Sequence, residues 1–293
     1  MQQRPSFVRA SHVEGDWAKV AGLWVRYRVT GPHDAPAVML LHHFHGNVDT
    51  WRHVHALLTG FRVISFDRPG FGYTERPARS AWRNGNPYTR RMAANIAVGL
   101  LGQLDVSSAT MVGSSAGGTT ALEIFARHPS RVDGLGLISP AITGDAGAPA
   151  PVRPVLRSAP IRLLGTAVAD RAARNVAHAR VGRSWHDPSR VTDEDVEVYR
   201  RPMGEDRWAS ATFEAMVAEQ PPDLRRLLRT IEIPTLVIGG VSDPLVSPRW
   251  NTRTARAIPS AKVQLLDDVG HTPHEERPEL LCETLEPWLH AIT

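Results

Sequence analysis

Six short runs of nearly unbroken apolar residues limit what this chain can fold into. They are AVMLLHH (37–43), FRVISFD (61–67), TMVGS (110–114), VDGLGLIS (132–139), TLVIGG (235–240) and KVQLLD (262–267). A strand with one wet face alternates in polarity. A strand that is apolar along its length is covered on both faces, as in a parallel sheet between two layers of helices. Helix-like stretches separate several of the runs, at roughly 51–59, 88–104, 118–128 and 247–257, with 276–291 after the last. This alternation predicts an α/β fold with a mostly parallel, doubly wound open sheet. LWVRYRVTG (23–31) differs. Leu23, Val25, Tyr27 and Val29 fall on one face and Trp24, Arg26 and Arg28 on the other, which predicts a half-exposed antiparallel strand at a sheet edge.

The rhythm breaks between residues 141 and 230. TGDAGAPAPVRP (143–154) reads as an exit linker, and helix-like pieces follow: IRLLGTAVADRAARNVAHARV (161–181), DEDVEVYRRPM (193–203), WASATFEAMVAEQ (208–220) and PDLRRLLRT (222–230). That is too long for a loop. It divides the chain into a core of residues 1–140 and 231–293 and an inserted helical cap, 141–230. The cap is expected over the carboxyl edge of the sheet, where ligands bind in open α/β folds.

Composition excludes several function classes. The net charge is +4, but the positive residues are nearly all arginines scattered among acids, with Lys19 and Lys262 the lysines. No block of charge or zinc-finger spacing suggests a nucleic-acid partner. The single cysteine, Cys282, rules out an internal disulfide framework and reads as a structural thiol. No signal-like apolar core opens the chain and no run is long enough to span a membrane, so a cytoplasmic protein with no membrane partner is expected. A homodimer is compatible with these features.

The chemistry starts from MVGSSAGGTT (111–120). Gly113-Ser114-Ser115-Ala116-Gly117 fits G-x-S-x-G with Ser115 central, a strand-like run before it and the helix-like GTTALEIFARH after it. In such an elbow the serine sits on a sharp strand-to-helix turn, and the flanking glycines relieve the crowding. Ser114 lacks this symmetric flank. A serine needs a base, and the base needs an orienting group. Asp243 lies in the turn after TLVIGG, and His271 in the loop after KVQLLD. The order serine, acid, histidine is the one this fold uses. All three residues fall at the same sheet edge, which predicts a catalytic triad of Ser115, Asp243 and His271. Asp267 and Asp268 are read as loop residues, and His274 as the start of the final helix.

An oxyanion hole needs two amide donors. Ala116, next to Ser115, is one; Phe44, in the loop His42-His43-Phe44-His45-Gly46-Asn47 after the first parallel strand, is the other. His42 reads as a hydrogen-bonded brace. The three histidines of this loop lack a carboxylate or cysteine partner at ligand spacing, so no metal is expected. DRPGFGYTERP (67–77) has Glu75 where a dinucleotide fingerprint needs its third glycine. It reads as a tight turn, and no cofactor is expected.

Together LLHHFHGN, DRPGFGYTERP, GSSAGG, GGVSDPLV and GHTPHEERPE resemble the α/β-hydrolase fold superfamily from about residue 20 to the end. The departures narrow the chemistry. Ser115 stands where haloalkane dehalogenases and many epoxide hydrolases carry aspartate. Ala116 stands where proline iminopeptidases typically carry tryptophan. Ser114 and Thr272 replace the Asn and Trp usual in meta-cleavage-product C–C hydrolases. His43 replaces the usual glycine of the first loop, where its side chain narrows the entrance or shifts the oxyanion loop.

The expected function is a cofactor-free serine hydrolase. It would cleave a carboxylic ester, thioester or lactone, a small molecule with an activated carbonyl, through an acyl-enzyme on Ser115. His43, Ser114, Trp185, Trp208, Phe213 and Met216 are the candidate substrate-binding residues. The same fold and triad also serve C–C bond hydrolysis, acyl transfer, perhydrolysis and lyase chemistry, or a ligand receptor.

Overall fold

All six apolar runs become strands of one eight-stranded sheet. The strands are β1 (Asp16–Val20), β2 (Leu23–Thr30), β3 (Ala37–Leu41), β4 (Arg62–Phe66), β5 (Ala109–Ser114), β6 (Val132–Ile138), β7 (Thr235–Gly240) and β8 (Ala261–Leu266). The computed structural model describes residues 5–8, 13–83, 85–142, 158, 160–162, 164–168, 181–218 and 224–293. The spatial order is β1-β2-β4-β3-β5-β6-β7-β8. β1 and β2 pair antiparallel, as do β2 and β4; the remaining pairs are parallel.

Period two explains the burial. Along β3, Met39 and Leu41 pack in one core cluster and Val38 and Leu40 in the other. Helices α2 (Arg90–Gln103) and α3 (Ala116–Arg127) contribute Ile96, Leu100 and Leu122 to the first cluster. Helix α1 (Arg52–Leu57) and the C-terminal helix contribute Val54, Leu281 and Leu285 to the second. Two covered faces are what unbroken apolar strands require.

Three expectations about the sheet are corrected. β2 is antiparallel, but it is not the edge: β1, which was not foreseen, pairs outside it through a turn with Ala21 at φ 51° and Gly22 at φ 85°. Arg26, expected on the half-exposed face, is 1% exposed. It forks onto Asp49 at 2.7 and 2.9 Å and lies 3.5 Å from Asp67. β8 is the opposite edge, with Lys262, Val263 and Gln264 exposed despite the apolar run.

Residues between β6 and β7 form an insert whose described elements are helical. They include α4 (Asp193–Met203), α5 (Trp208–Ala218) and α6 (Leu224–Leu228). The expected linker at 143–154 lies outside the described residues, as do 163 and 169–180 of the expected helix 161–181. Helix α4 starts on a capping box: the Thr192 hydroxyl accepts from the Asp195 amide, and Asp195 accepts from the Thr192 amide. Beyond the insert lie α7 (Pro248–Ala257), a short α8 (Pro273–Glu276) and α9 (Pro278–Ile292). His274 falls in α8 rather than at the start of the final helix. No helix among the described residues is long and apolar enough to cross a membrane.

Candidate active site

Ser115 joins β5 to α3 with φ 51° and ψ −112°, a left-handed backbone that is costly for a residue with a Cβ. Its surroundings hold it there. The Ser115 amide donates to the Ile138 carbonyl at 2.8 Å, and its carbonyl accepts from Gly118 at 3.0 Å and Ala141 at 3.2 Å. A Cβ on Gly117 would run into the Leu41 carbonyl, and one on Gly113 into the Gly117 backbone. The two glycines are therefore what let strand, elbow and helix approach.

Ser115 follows β5, Asp243 follows β7 and His271 follows β8, so the parallel strands deliver all three to one sheet edge. His271 Nδ1 and Asp243 Oδ2 are 2.8 Å apart. Asp243 Oδ1 accepts the Leu245 and Val246 amides, each at 2.8 Å. Burial would raise this carboxyl, but the bond and charge of His271 and the Val246 amide hold it below its ordinary value.

The loop after β3 is fixed with equal care. The His43 carbonyl receives His42 Nδ1 at 2.8 Å, Arg68 Nη2 at 3.1 Å and the Gly46 amide at 3.1 Å. His42 Nε2 accepts the Arg68 amide at 3.0 Å, which assigns the proton to Nδ1 and makes His42 the expected brace. The His43 carbonyl and the Phe44 N–H share one planar trans peptide unit. Three donors on the oxygen therefore turn the Phe44 N–H the opposite way. Ala116 opens α3, where helix geometry leaves its amide without an intrahelical partner.

The expected substrate-binding residues scatter. His43 is buried with its Nε2 3.0 Å from the Tyr199 hydroxyl. Burial, then the charges of His271 and Arg68, lower its imidazole to about 3, so it is neutral and close to His271. Trp208 packs beside the loop, 6.2 Å from the His45 ring. Ser114 is fully buried in β5. Trp185 sits in an insert core with Val181, Val198 and Tyr199. Phe213 is buried in the insert against Gly165, and Met216 is half exposed.

Several functional candidates escaped sequence reasoning. Glu276 Oε1 accepts the His186 and Asp187 amides, and its Oε2 accepts the Gly270 amide, tying the insert to the His271 loop. The His271 amide itself donates to the Ser184 carbonyl at 2.6 Å. Tyr199 donates to Glu275 Oε2 at 2.6 Å. HEERPE gave a signal for the two glutamates; nothing in the sequence marks Tyr199, 156 positions from His43. His43, His274 and Glu275 each bring one metal-capable atom within 4.8 Å of the others, and Tyr199 already joins two of them. The fingerprint-like 67–77 segment is a structural turn: Asp67 accepts the Val48 and Tyr73 amides at 2.7 Å each, and Gly72 leaves room for its carboxylate.

Comparison with known proteins bears on the fold that carries this site. The family model of the alpha/beta hydrolase fold matches residues 36–278. Lipase 1 of Psychrobacter immobilis is 24% identical over 82% of this chain and 72% of its own. The 2-hydroxymuconate semialdehyde hydrolase of Pseudomonas sp. (strain CF600) is 28% identical over 83% of each chain. The enol-lactonase of Burkholderia xenovorans LB400 superposes with a TM-score of 0.72 at 25% identity, covering 94% of this chain and 100% of the other. A strained serine between two obligatory glycines, on the edge where a paired aspartate and histidine arrive, is thus set in a chain that belongs to the α/β-hydrolase fold family.

Proposed function

We propose that the protein is a serine hydrolase that cleaves a carboxylic ester, thioester or lactone of a small molecule. The observation that carries this reading is the 2.8 Å contact between His271 Nδ1 and Asp243 Oδ2, on the edge where Ser115 occupies its elbow. Ser115 Oγ attacks the carbonyl carbon and passes its proton to His271 Nε2. The Phe44 and Ala116 amides hold the oxyanion, each contributing about 3 kcal/mol of transition-state stabilisation. The tetrahedral adduct collapses, the leaving group takes the proton from His271, and the acyl group stays on Ser115. Water then gives a proton to His271 and attacks the acyl carbon; the second adduct collapses, Ser115 Oγ takes that proton back from His271, and the acid is released. Asp243 keeps the Nδ1–H tautomer and stabilises the imidazolium.

In this reading residues 141–230 act as a cap. Helix α5 seats on the core where Thr212 donates to the Gly70 carbonyl at 3.2 Å, and Ala211 and Ala215 pack with Phe71 and Phe44. This apolar wall, with Trp208, favours a medium apolar or aromatic acyl group. The single thiol, Cys282, is buried with its pKa pushed up to about 12, which suits a structural role in a cytoplasmic enzyme.

The test is p-nitrophenyl butyrate hydrolysis by the wild type and Ser115→Ala. A pre-steady-state burst with steady turnover, both lost in the variant, supports the reading. Turnover that survives in Ser115→Ala overturns it. Similarity to the semialdehyde hydrolase over most of both chains favours C–C hydrolysis as the second reading. It gains if ester turnover is absent while a vinylogous 1,5-diketone acid is cleaved.

A further inference from the structure

One face of α4 docks onto the core at three points. Asp195, Val198 and Tyr199 are spaced i, i+3 and i+4, so a single helix face carries them. Asp195 pairs with Arg52 at the start of α1. The Val198 carbonyl accepts from Asn47 Nδ2 at 2.9 Å. The Tyr199 hydroxyl is shared between His43 Nε2 at 3.0 Å and Glu275 Oε2 at 2.6 Å. Two of the three contacts therefore land on the loop that carries Phe44. Tyr199 also reaches, through Glu275, the short helix that begins two residues after His271.

The proton count is consistent. Tyr199 has one O–H and gives it to Glu275. The His43 Nε2–H then donates to the Tyr199 oxygen, leaving Nδ1 bare, and Nδ1 has no partner among the described residues. His43 is thus held from two sides. Its carbonyl is fixed by the core donors, His42 and Arg68, and its ring by the insert. The Phe44 N–H follows directly from the orientation of that residue. A glycine in place of His43 would offer the insert nothing to hold.

We propose that Tyr199 is a positioning residue that couples seating of the insert to assembly of the oxyanion hole, holding Phe44 through His43 and the His271 loop through Glu275. The proposal rests on the hydrolase reading, because Phe44 is given its role there. Tyr199 touches no reacting atom. Its loss should lower the rate of acylation without weakening ground-state binding, since a donor displaced by a fraction of an ångström costs transition-state stabilisation first.

The experiment is a double-mutant cycle on the full chain with Tyr199→Phe, His43→Gln and the double variant, assayed with p-nitrophenyl butyrate. Each single variant should lose about tenfold or more in burst rate and kcat with KM changed less than about threefold. The double variant should lose no more than the worse single, because both act through one bond. Hydrogen exchange should quicken together at residues 43–47 and 270–276 in Tyr199→Phe while β5 stays protected. Additive losses, or a Tyr199→Phe enzyme with wild-type kcat and exchange, overturn the proposal. If Tyr199→Phe does not fold, His43→Gln carries the kcat-against-KM test. A wild type with neither burst nor turnover counts against the ester-hydrolase reading instead, and the exchange comparison still decides whether Tyr199 joins the two loops.

Discussion

Asp243 faces His271 with one oxygen and its own loop with the other: Oδ2 lies 2.8 Å from His271 Nδ1, while Oδ1 accepts the Leu245 and Val246 amides. The carboxylate cannot turn toward the imidazole or away from it without breaking two backbone bonds. It fixes both the tautomer and the plane of the ring.

Replacing that carboxylate by an amide should therefore leave the fold intact and disable the base. Asp243→Asn is expected to lower kcat on p-nitrophenyl butyrate by on the order of 10³–10⁴, as the wrong tautomer is stabilised. KM should change little. A variant within tenfold of wild-type kcat would remove Asp243 from the mechanism.

The elbow stores strain that a glycine would release. At φ 51° and ψ −112°, Ser115 pays roughly 1–3 kcal/mol that glycine would not. Ser115→Gly should melt higher than Ser115→Ala, both being inactive, and thermal unfolding of the pair measures the difference. Gly117→Ala should be severely destabilised, because its Cβ has no room beside the Leu41 carbonyl.

Arg68 holds the back of the loop that carries Phe44, the proposed oxyanion donor. It donates to the His43 carbonyl at 3.1 Å and to the Thr120 hydroxyl at 3.3 Å, and its guanidinium lies 5.0 Å from the centre of the Phe71 ring. Arg68→Met keeps an apolar stem but removes the donors. The expected result is a loss of about tenfold in kcat and of about 1–3 kcal/mol in stability. Unchanged kcat in a destabilised variant would make Arg68 structural only.

Stability should also carry the signature of Glu275. Burial raises its carboxyl to about 8, against the Tyr199 hydroxyl bond and the Arg52 charge, with Asp195 adding to the rise. A carboxyl raised on folding holds its proton more tightly in the folded state. Its stabilising contribution is complete below the unfolded value of 4.5 and is lost as pH climbs to about 8. The unfolding free energy should fall across that window by on the order of a few kcal/mol. Glu275→Gln cannot ionise and keeps an acceptor for Tyr199, so its slope should be flatter. Denaturant titrations at about pH 5.5 and about pH 8.5 compare the two; equal slopes would exonerate the carboxyl.

Much of the fold was legible in the residues, because burial on two faces demands apolar runs and strand-to-helix punctuation is local. GSSAG, GGVSDP and GHTPH could be assigned to strand ends for the same reason, and parallel strands then carry Ser115, Asp243 and His271 to one edge. Local pattern failed where a neighbour decides. DWAKV is too short to announce β1. Arg26 reads as a surface residue until Asp49 and Asp67 surround it. KVQLLD reads as buried although β8 has a neighbour on one side only.

The division between the two levels is therefore physical. The order of strands β2 to β8 along the chain, the elbow with its glycines, and the placement of serine, acid and histidine at strand ends depend on short-range sterics and on hydrophobic period, and the sequence by itself determined them. The docking of the insert depends on contacts between residues far apart in the chain. Tyr199 meets His43 and Glu275, Asp195 meets Arg52, and Glu276 gathers amides from the insert and the His271 loop. Hydrogen bonds of that kind have no period and no local signature, so only the tertiary structure decided them.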